Sequence, residues 1–193
     1  MRSLHWLSLA LAASFSVSGI AVLNNQPSLA IESNGQIYFE HPPALLSAST
    51  TRNTAAISNP TYYFTLSVPE DAGEPLGRVE IVPKDTNTAM RSIQYETEET
   101  QAFLGTPRDR GDAVTLGATE VDEENQTVTI NFDQPVPPGS TVTIALKPQR
   151  NPRLSGIYLF GVTAYPTGES PYGQFLGYGR LHFYQQGDNY IFN

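Results

Sequence analysis

Side chains able to do chemistry are scarce in this chain. It has no cysteine among 193 residues, which removes disulfides, thiolate metal sites and thiol nucleophiles together. Beyond the first thirty residues the only histidines are His41 and His182. A Ser-His-Asp relay needs a histidine oriented by an acid and set beside a nucleophile. No spacing here assembles one, and there is no Gly-x-Ser-x-Gly elbow. His41, between Glu40 and two prolines, reads as a surface residue. The two histidines can share a Zn²⁺ or Cu²⁺ only if the fold joins them with acids, since no close ligand spacing exists. Glu96, Glu98 and Glu99 can supply carboxylates for glycoside hydrolysis, which needs two of them facing each other across a bond. The acids of Asp122-Glu123-Glu124 and Glu70-Asp71 are oxygen ligands suited to Ca²⁺, but neither run has a regular ligand spacing, and solvated turns explain both. Arg110-Gly111-Asp112 spells an adhesion tripeptide inside a charged stretch. Asn125-Gln126-Thr127 fits the glycosylation sequon, which matters only in a eukaryotic secretory pathway.

One pattern stands apart from these fragments. Between residues 175 and 184 the even positions carry Tyr178, Arg180, His182 and Tyr184. On a strand these share a face. Exposed, their rings and guanidinium can stack on sugars or on a partner's side chains, and Tyr and Arg favour interface hot spots. The plainer reading packs this face under a loop, with Arg180 paired to an acid. The odd positions, Phe175, Gly177, Gly179, Leu181 and Phe183, form the inward face, where the glycines let another backbone approach.

The elements that would position this stripe read as short strands. Residues 61–68 alternate with Tyr62, Phe64, Leu66 and Val68 on one face. Residues 76–82 place Val79 and Ile81 inward, and the spacing predicts a hairpin with 61–68. Residues 127–132 and 141–146 alternate likewise and predict a second hairpin. Residues 156–165 are apolar on both faces, as in a central strand covered on both sides. Residues 43–60 read as an irregular edge strand or loop, 105–112 as a charged loop, and 114–119 as a strand. Residues 90–95 fit neither period. Residues 96–103 suit one or two helical turns, with Thr97 as cap. Roughly seven to nine short runs with turn signals between them predict an all-β, antiparallel, immunoglobulin-like β-sandwich, with at most one short helix near 96–103. A closed barrel is the alternative.

The first thirty residues differ in kind. Arg2 and His5 precede an apolar run from Leu7 to Val17, and Ser28-Leu29-Ala30 offers small residues where an export peptidase reads. The expectation is a signal peptide over 1–30, cut after Ala30, then one sandwich domain over 31–185 and a tail over 186–193. An uncleaved anchor is the competing reading, although 7–23 is near the lower limit for spanning a bilayer. Removing 1–30 takes away Arg2 and no acid, moving the formal net charge from −8 to −9. A chain this acidic does not bind nucleic acid or an anionic membrane through its overall field. No stable membrane insertion is expected after cleavage.

Three blocks then suggest a relationship. The first is Tyr62-Tyr63-Phe64-Thr65-Leu66-Ser67-Val68-Pro69-Glu70-Asp71-Ala72-Gly73-Glu74-Pro75-Leu76. The second runs from Phe132-Asp133-Gln134-Pro135-Val136-Pro137-Pro138-Gly139 through Thr141-Val142-Thr143-Ile144 and Leu146-Lys147-Pro148 to Arg150-Asn151-Pro152. The third runs from Gly156-Ile157-Tyr158-Leu159-Phe160-Gly161-Val162-Thr163-Ala164-Tyr165-Pro166 through Pro171-Tyr172-Gly173 to Leu176-Gly177-Tyr178-Gly179-Arg180-Leu181-His182-Phe183-Tyr184. In these the chain resembles a secreted, mainly cyanobacterial family catalogued as domain of unknown function 2808. The resemblance spans nearly all of residues 31–193 and is weakest over 83–126. It implies an exported protein with one domain and assigns no activity, so it carries over no catalytic residues.

The expectation for function is therefore a non-catalytic binding or structural module of the cell envelope, without cofactor, in the periplasm or outside the cell. Its partner would be an envelope protein or a glycan, and its candidate site Tyr178, Arg180, His182 and Tyr184. The alternatives are an envelope hydrolase using Glu98 or Glu99 and a periplasmic metal carrier using His41 and His182.

Overall fold

The computed structural model describes residues 31–33, 35–84, 93–185 and 187. The expected leader over 1–30 and most of the tail after 185 lie outside the described residues. Among the described residues, no helix is long and apolar enough to cross a membrane.

Among the described residues twelve strands form, in order β1 (Ile31–Ser33), β2 (Gln36–Tyr38), β3 (Ala44–Thr50), β4 (Tyr62–Ser67), β5 (Leu76–Pro83), β6 (Gln101–Thr106), β7 (Asp109–Val114), β8 (Leu116–Asp122), β9 (Thr127–Val136), β10 (Thr141–Leu146), β11 (Gly156–Pro166) and β12 (Gln174–Phe183). β1 and β2 pair as a small ribbon. The others build two five-stranded sheets, β3-β4-β10-β6-β7 and β12-β11-β5-β9-β8. Every named strand pair is antiparallel. The antiparallel sandwich is thus as expected, with two open sheets rather than a closed barrel.

The core fills the space between the sheets. β4 contributes Tyr62, Phe64 and Leu66, and β11 and β12 contribute Phe160, Val162, Leu181 and Phe183, all essentially inaccessible. Phe160 packs 5.9 Å from both Tyr62 and Phe64, and Phe183 lies 5.7 Å from Tyr62 and 5.5 Å from Tyr158. These tilted and edge-on contacts are the arrangements that ring quadrupoles favour. Gly179 lets β12 come close: a Cβ there would lie 2.8 Å from Ala48 Cβ and 2.9 Å from the Phe64 ring.

Neither predicted hairpin forms. β4 pairs with β3 and β10, whereas β5 pairs with β9 and β11. β9 and β10 likewise belong to opposite sheets. The intervening segments, Pro69 to Pro75 and Pro137 to Ser140, are rich in proline, which donates no hydrogen bond to a ladder, so the chain turns a corner between sheets. The two corners brace each other, with Val68 N–H donating to Ser140 O and Gly139 N–H to Val68 O. Alternation had shown that each run has an inner face, and this holds. It could not show which strand lies beside it.

Several local expectations are corrected. Residues 105–112 are not a loop but part of the β6–β7 hairpin, whose mainly exposed, polar β7 hides its strand pattern. The helix near 96–103 shrinks to one 3-10 turn, Thr97–Glu99, entered at Glu96 with no side-chain cap, and Gln101 onward is β6. Residues 114–119 divide between the end of β7 and the start of β8. β11 is interior to its sheet yet covered on one face only: Tyr158, Phe160, Val162 and Ala164 are buried, while Ile157 on the other face is 49% exposed.

Candidate functional site

The stripe lies on β12, an edge strand of its sheet, and its geometry turns on a bulge. Pairing with β11 runs Ile157↔His182, Leu159↔Arg180 and Gly161↔Tyr178 to Val162↔Gly177, then jumps to Thr163↔Phe175. Leu176 is the extra residue. It turns inward against the core, and Phe175 turns outward. The sequence reading placed Phe175 on the inward face, and strict alternation fails here because it does not survive an inserted residue. Gly177 makes the bulge possible. Its φ of +121° is one that side-chain-bearing residues rarely adopt.

Past the bulge, Tyr178, Arg180, His182 and Tyr184 all point outward and are exposed, as the favourable reading of the stripe requires. Phe175 and Tyr178 meet edge to face, with ring centroids 5.2 Å apart. Beneath them Gly161 offers no side chain, and a Cβ there would sit 3.1 Å from the Phe175 ring. His182 and Tyr184 form a second ring pair at 4.2 Å, tied by a hydrogen bond of 3.0 Å between the Tyr184 hydroxyl and His182 Nδ1. Arg180 stands between the two pairs. Lys84 joins it, because its backbone N–H donates to Leu159 O and its ammonium lies 5.4 Å from the Tyr178 ring centre. Among the described residues, neither Arg180 nor Lys84 pairs with a carboxylate.

Further along the same face, Arg78 lies 3.8 Å over the Tyr165 ring, and the Tyr165 hydroxyl donates to Glu80 at 2.6 Å. Burial, and then the neighbouring Glu80 carboxylate, raise the Tyr165 phenol above its usual pKa. The Arg78–Glu80 ion pair closes this cluster on itself. It borders the stripe, and within it the Arg78 Nε is buried without a hydrogen-bond partner.

The other candidates are held separately. His41 donates from Nδ1 to Asp71 O and lies 3.4 Å from the Asp71 carboxylate. It follows Phe39, whose N–H meets the Gln174 side chain at the opposite end of β12 from His182. At about 3.3 Å per strand residue, the run from Gln174 to His182 spans roughly 25 Å, so the two histidines lie towards opposite ends of β12. Among the described residues, no three His, Asp or Glu side chains gather as a metal cage. Asp122 caps its own turn by accepting from Glu124 N–H, Asn125 N–H and the Asn125 amide. The Asn125 side chain is the leading cause of its lowered pKa.

Glu98 and Glu99 line a cleft of about 410 Å³ with Thr61, Tyr63, Gln101, Arg110, Ala145 and Lys147. Both acids come from one 3-10 turn, and the facing wall carries Lys147, Arg110 and Tyr63. That is not the opposed carboxylate pair hydrolysis needs. Arg110 of the adhesion tripeptide lies back on its own sheet, 4.5 Å over Phe103 and donating to the Tyr63 hydroxyl at 2.7 Å.

Sequence reasoning assigned no role to Asn151. It is 2% exposed, accepts from the Tyr62 hydroxyl at 2.9 Å, and donates from Nδ2 to Arg52 O and Thr54 O, each at 2.8 Å. This knot ties the 51–60 loop to β4 and to the entry of β11. Nearby, Tyr184 N–H donates to Asn53 O, and Ala55 N–H to Tyr184 O, so the loop also fixes the end of the stripe. No short-range spacing signals a partnership between residues 62 and 151.

Fold and site together define an antiparallel β-sandwich whose outer strip along β12 carries exposed aromatic rings and, with neighbouring Lys84, two cations without a carboxylate partner among the described residues. The chain belongs to the family described as protein of unknown function (DUF2808), whose model matches residues 36–183. No curated protein compared with the chain matches it. Among solved structures it is similar to the C-terminal domain of the antigen I/II-family protein AspA of Streptococcus pyogenes, with 15% identity, 71% of this chain and 46% of that one covered, and a TM-score of 0.41. It is also similar to the collagen-binding domain of a Staphylococcus aureus adhesin, with 7% identity, coverage of 70% and 95%, and a TM-score of 0.36. BslA, a bacterial hydrophobin, matches with 15% identity, coverage of 76% and 99%, and a TM-score of 0.38. The match spans less than half of the streptococcal chain. Nothing about function follows from likenesses this remote.

Proposed function

We propose that the chain is a non-catalytic binding module working outside the cytoplasm, with the outer face of β11 and β12 as its binding surface. One observation carries this. Of the seven large hydrophobic side chains that are exposed among the described residues, four (Ile157, Phe175, Tyr178 and Tyr184) lie on this face. Apolar side chains scattered singly over a surface need no explanation, whereas a contiguous patch rimmed by polar groups marks an interaction site. The rings are held in position: the first pair sits over Gly161, and the second is hydrogen-bonded and anchored through Tyr184. A preorganised surface loses little side-chain freedom on binding. The leader-like first thirty residues and the absence of cysteine support a place in the envelope or beyond it, with a protein or a glycan as partner.

The test is affinity capture from native envelope material by the tagged 31–193 chain. Three forms are compared: the unaltered chain, a Tyr178→Ala/Tyr184→Ala double variant, and a Leu46→Ala control on β3 of the other sheet. Retention by the first and third with loss by the second supports the reading. An identical set retained by all three removes this face from the account.

A further inference from the structure

Resting on that reading of the face, we infer that its ligand is a linear, carboxylate-bearing polysaccharide. The first argument is local charge. Between Gln134 and Gly187 the only acidic residue is Glu169, although the whole chain carries 19 acids against 11 Lys+Arg. β11 and β12 contain no acid at all. Among the described residues the acids on the outer face are Glu80, engaged by Tyr165 and Arg78, Asp133 on β9, and Glu120 and Asp122 on the far edge strand β8. Arg180 and Lys84 are therefore cations without a carboxylate among the described residues, on an otherwise acidic molecule. Such a strip is complementary to an anionic ligand that contacts it locally.

The second argument is geometric. Tyr178, Arg180, His182 and Tyr184 succeed one another about 7 Å apart along a single strand axis. Ring pair, cation and ring pair alternate along a line. The ligand that fits is extended and repeating, with apolar ring faces to lie on aromatics, hydroxyls to bond with Tyr and His, and carboxylates at intervals for Arg180 and Lys84. A helical peptide needs a groove, and the four clefts of 370–550 Å³ formed among the described residues are lined by other side chains.

Third, net charge separates this ligand from an anionic bilayer. Salt screens charge within about 8 Å. A single polysaccharide chain lying along the strip feels mainly Arg180 and Lys84. A bilayer approaching the whole face also meets the acids of β8. Among the large side chains exposed on this face Ile157 alone is aliphatic, beside Phe175, Tyr178 and Tyr184, and a single aliphatic side chain gives little apolar surface to insert among lipids.

The experiment uses the 31–193 chain with polygalacturonate, neutral dextran of similar length, and vesicles of phosphatidylglycerol, read by calorimetry and affinity electrophoresis. The expected result is binding to polygalacturonate in preference to dextran, weakened by added salt. Lys84→Gln/Arg180→Gln should bind about tenfold more weakly, two exposed charge contacts being lost, with an unchanged urea unfolding midpoint. Tyr178→Ala should also bind more weakly. Equal binding to dextran, abolished by Tyr178→Ala/Tyr184→Ala but untouched by the charge variant, overturns the anionic class and leaves the face standing. Binding to vesicles alone overturns the inference in favour of lipid. Binding to none of the three overturns it outright, and the envelope capture then judges the face by itself.

Discussion

Asn151→Ala should destabilise the fold far more than the loss of one polar side chain suggests. The Tyr62 hydroxyl is 0% exposed, and Asn151 Oδ1 is its hydrogen-bond acceptor. Truncation leaves that hydroxyl buried and unpaired, at a cost of about 1–3 kcal/mol. It also strips donors from Arg52 O and Thr54 O, which lie partly within reach of water, so each loses about 0.5–1 kcal/mol. The expected sum is about 2–5 kcal/mol, a large share of a typical domain's stability of about 5–15 kcal/mol. Urea unfolding followed by tyrosine fluorescence measures it. Tyr62→Phe supplies the control, because it removes the stranded hydroxyl in advance. In that background Asn151→Ala should cost about 1–2 kcal/mol less than in the unaltered chain, the coupling seen for groups sharing one network. A cost under about 1 kcal/mol, or strict additivity of the two changes, would falsify the knot as a shared network.

Gly177→Ala should lose about 1–3 kcal/mol, since a Cβ there meets no neighbour within 4 Å and the whole cost is backbone strain at φ +121°; a neutral urea midpoint would show that β12 does not need the bulge. Stability should fall at high pH. Burial raises the phenol pKa of Tyr62 and Tyr95 above the usual 10.0; the unfolded chain ionises from about pH 10 while these folded phenols stay neutral, so their contribution is complete below that pH and is lost progressively as pH rises from there towards the raised folded pKa. Each such tyrosine should remove about 1.4 kcal/mol per pH unit, and Tyr62→Phe should flatten the alkaline limb. A limb unchanged by that substitution would mean that another group governs it.

Much of the fold was legible because binary patterning is local. Tyr62, Phe64 and Leu66, or Val128, Ile130 and Phe132, declare an inner face from spacing alone, and all six are buried. Antiparallel strands with one wet face give this signal clearly. What failed was partnership. The predicted pairing of residues 61–68 with 76–82 rested on nearness in sequence, and the proline-rich corners instead carry the chain from one sheet to the other. β7 was missed because an exposed edge strand of polar residues has no inner face to reveal it.

The candidate site divides along the same line. By itself the sequence determined that Tyr178, Arg180, His182 and Tyr184 share one side of a strand, because a period of two is a property of the extended backbone. It also determined that this end of the chain is nearly free of acids. Only the tertiary structure decided that the shared side faces outward, that Leu176 bulges inward and brings Phe175 out beside Tyr178, and that Lys84 arrives from β5 to stand near Arg180. These depend on which strand lies next to which and in what register. Register is set by contacts across the sheet between residues as far apart as Lys84 and Leu159, and no short stretch of sequence contains both.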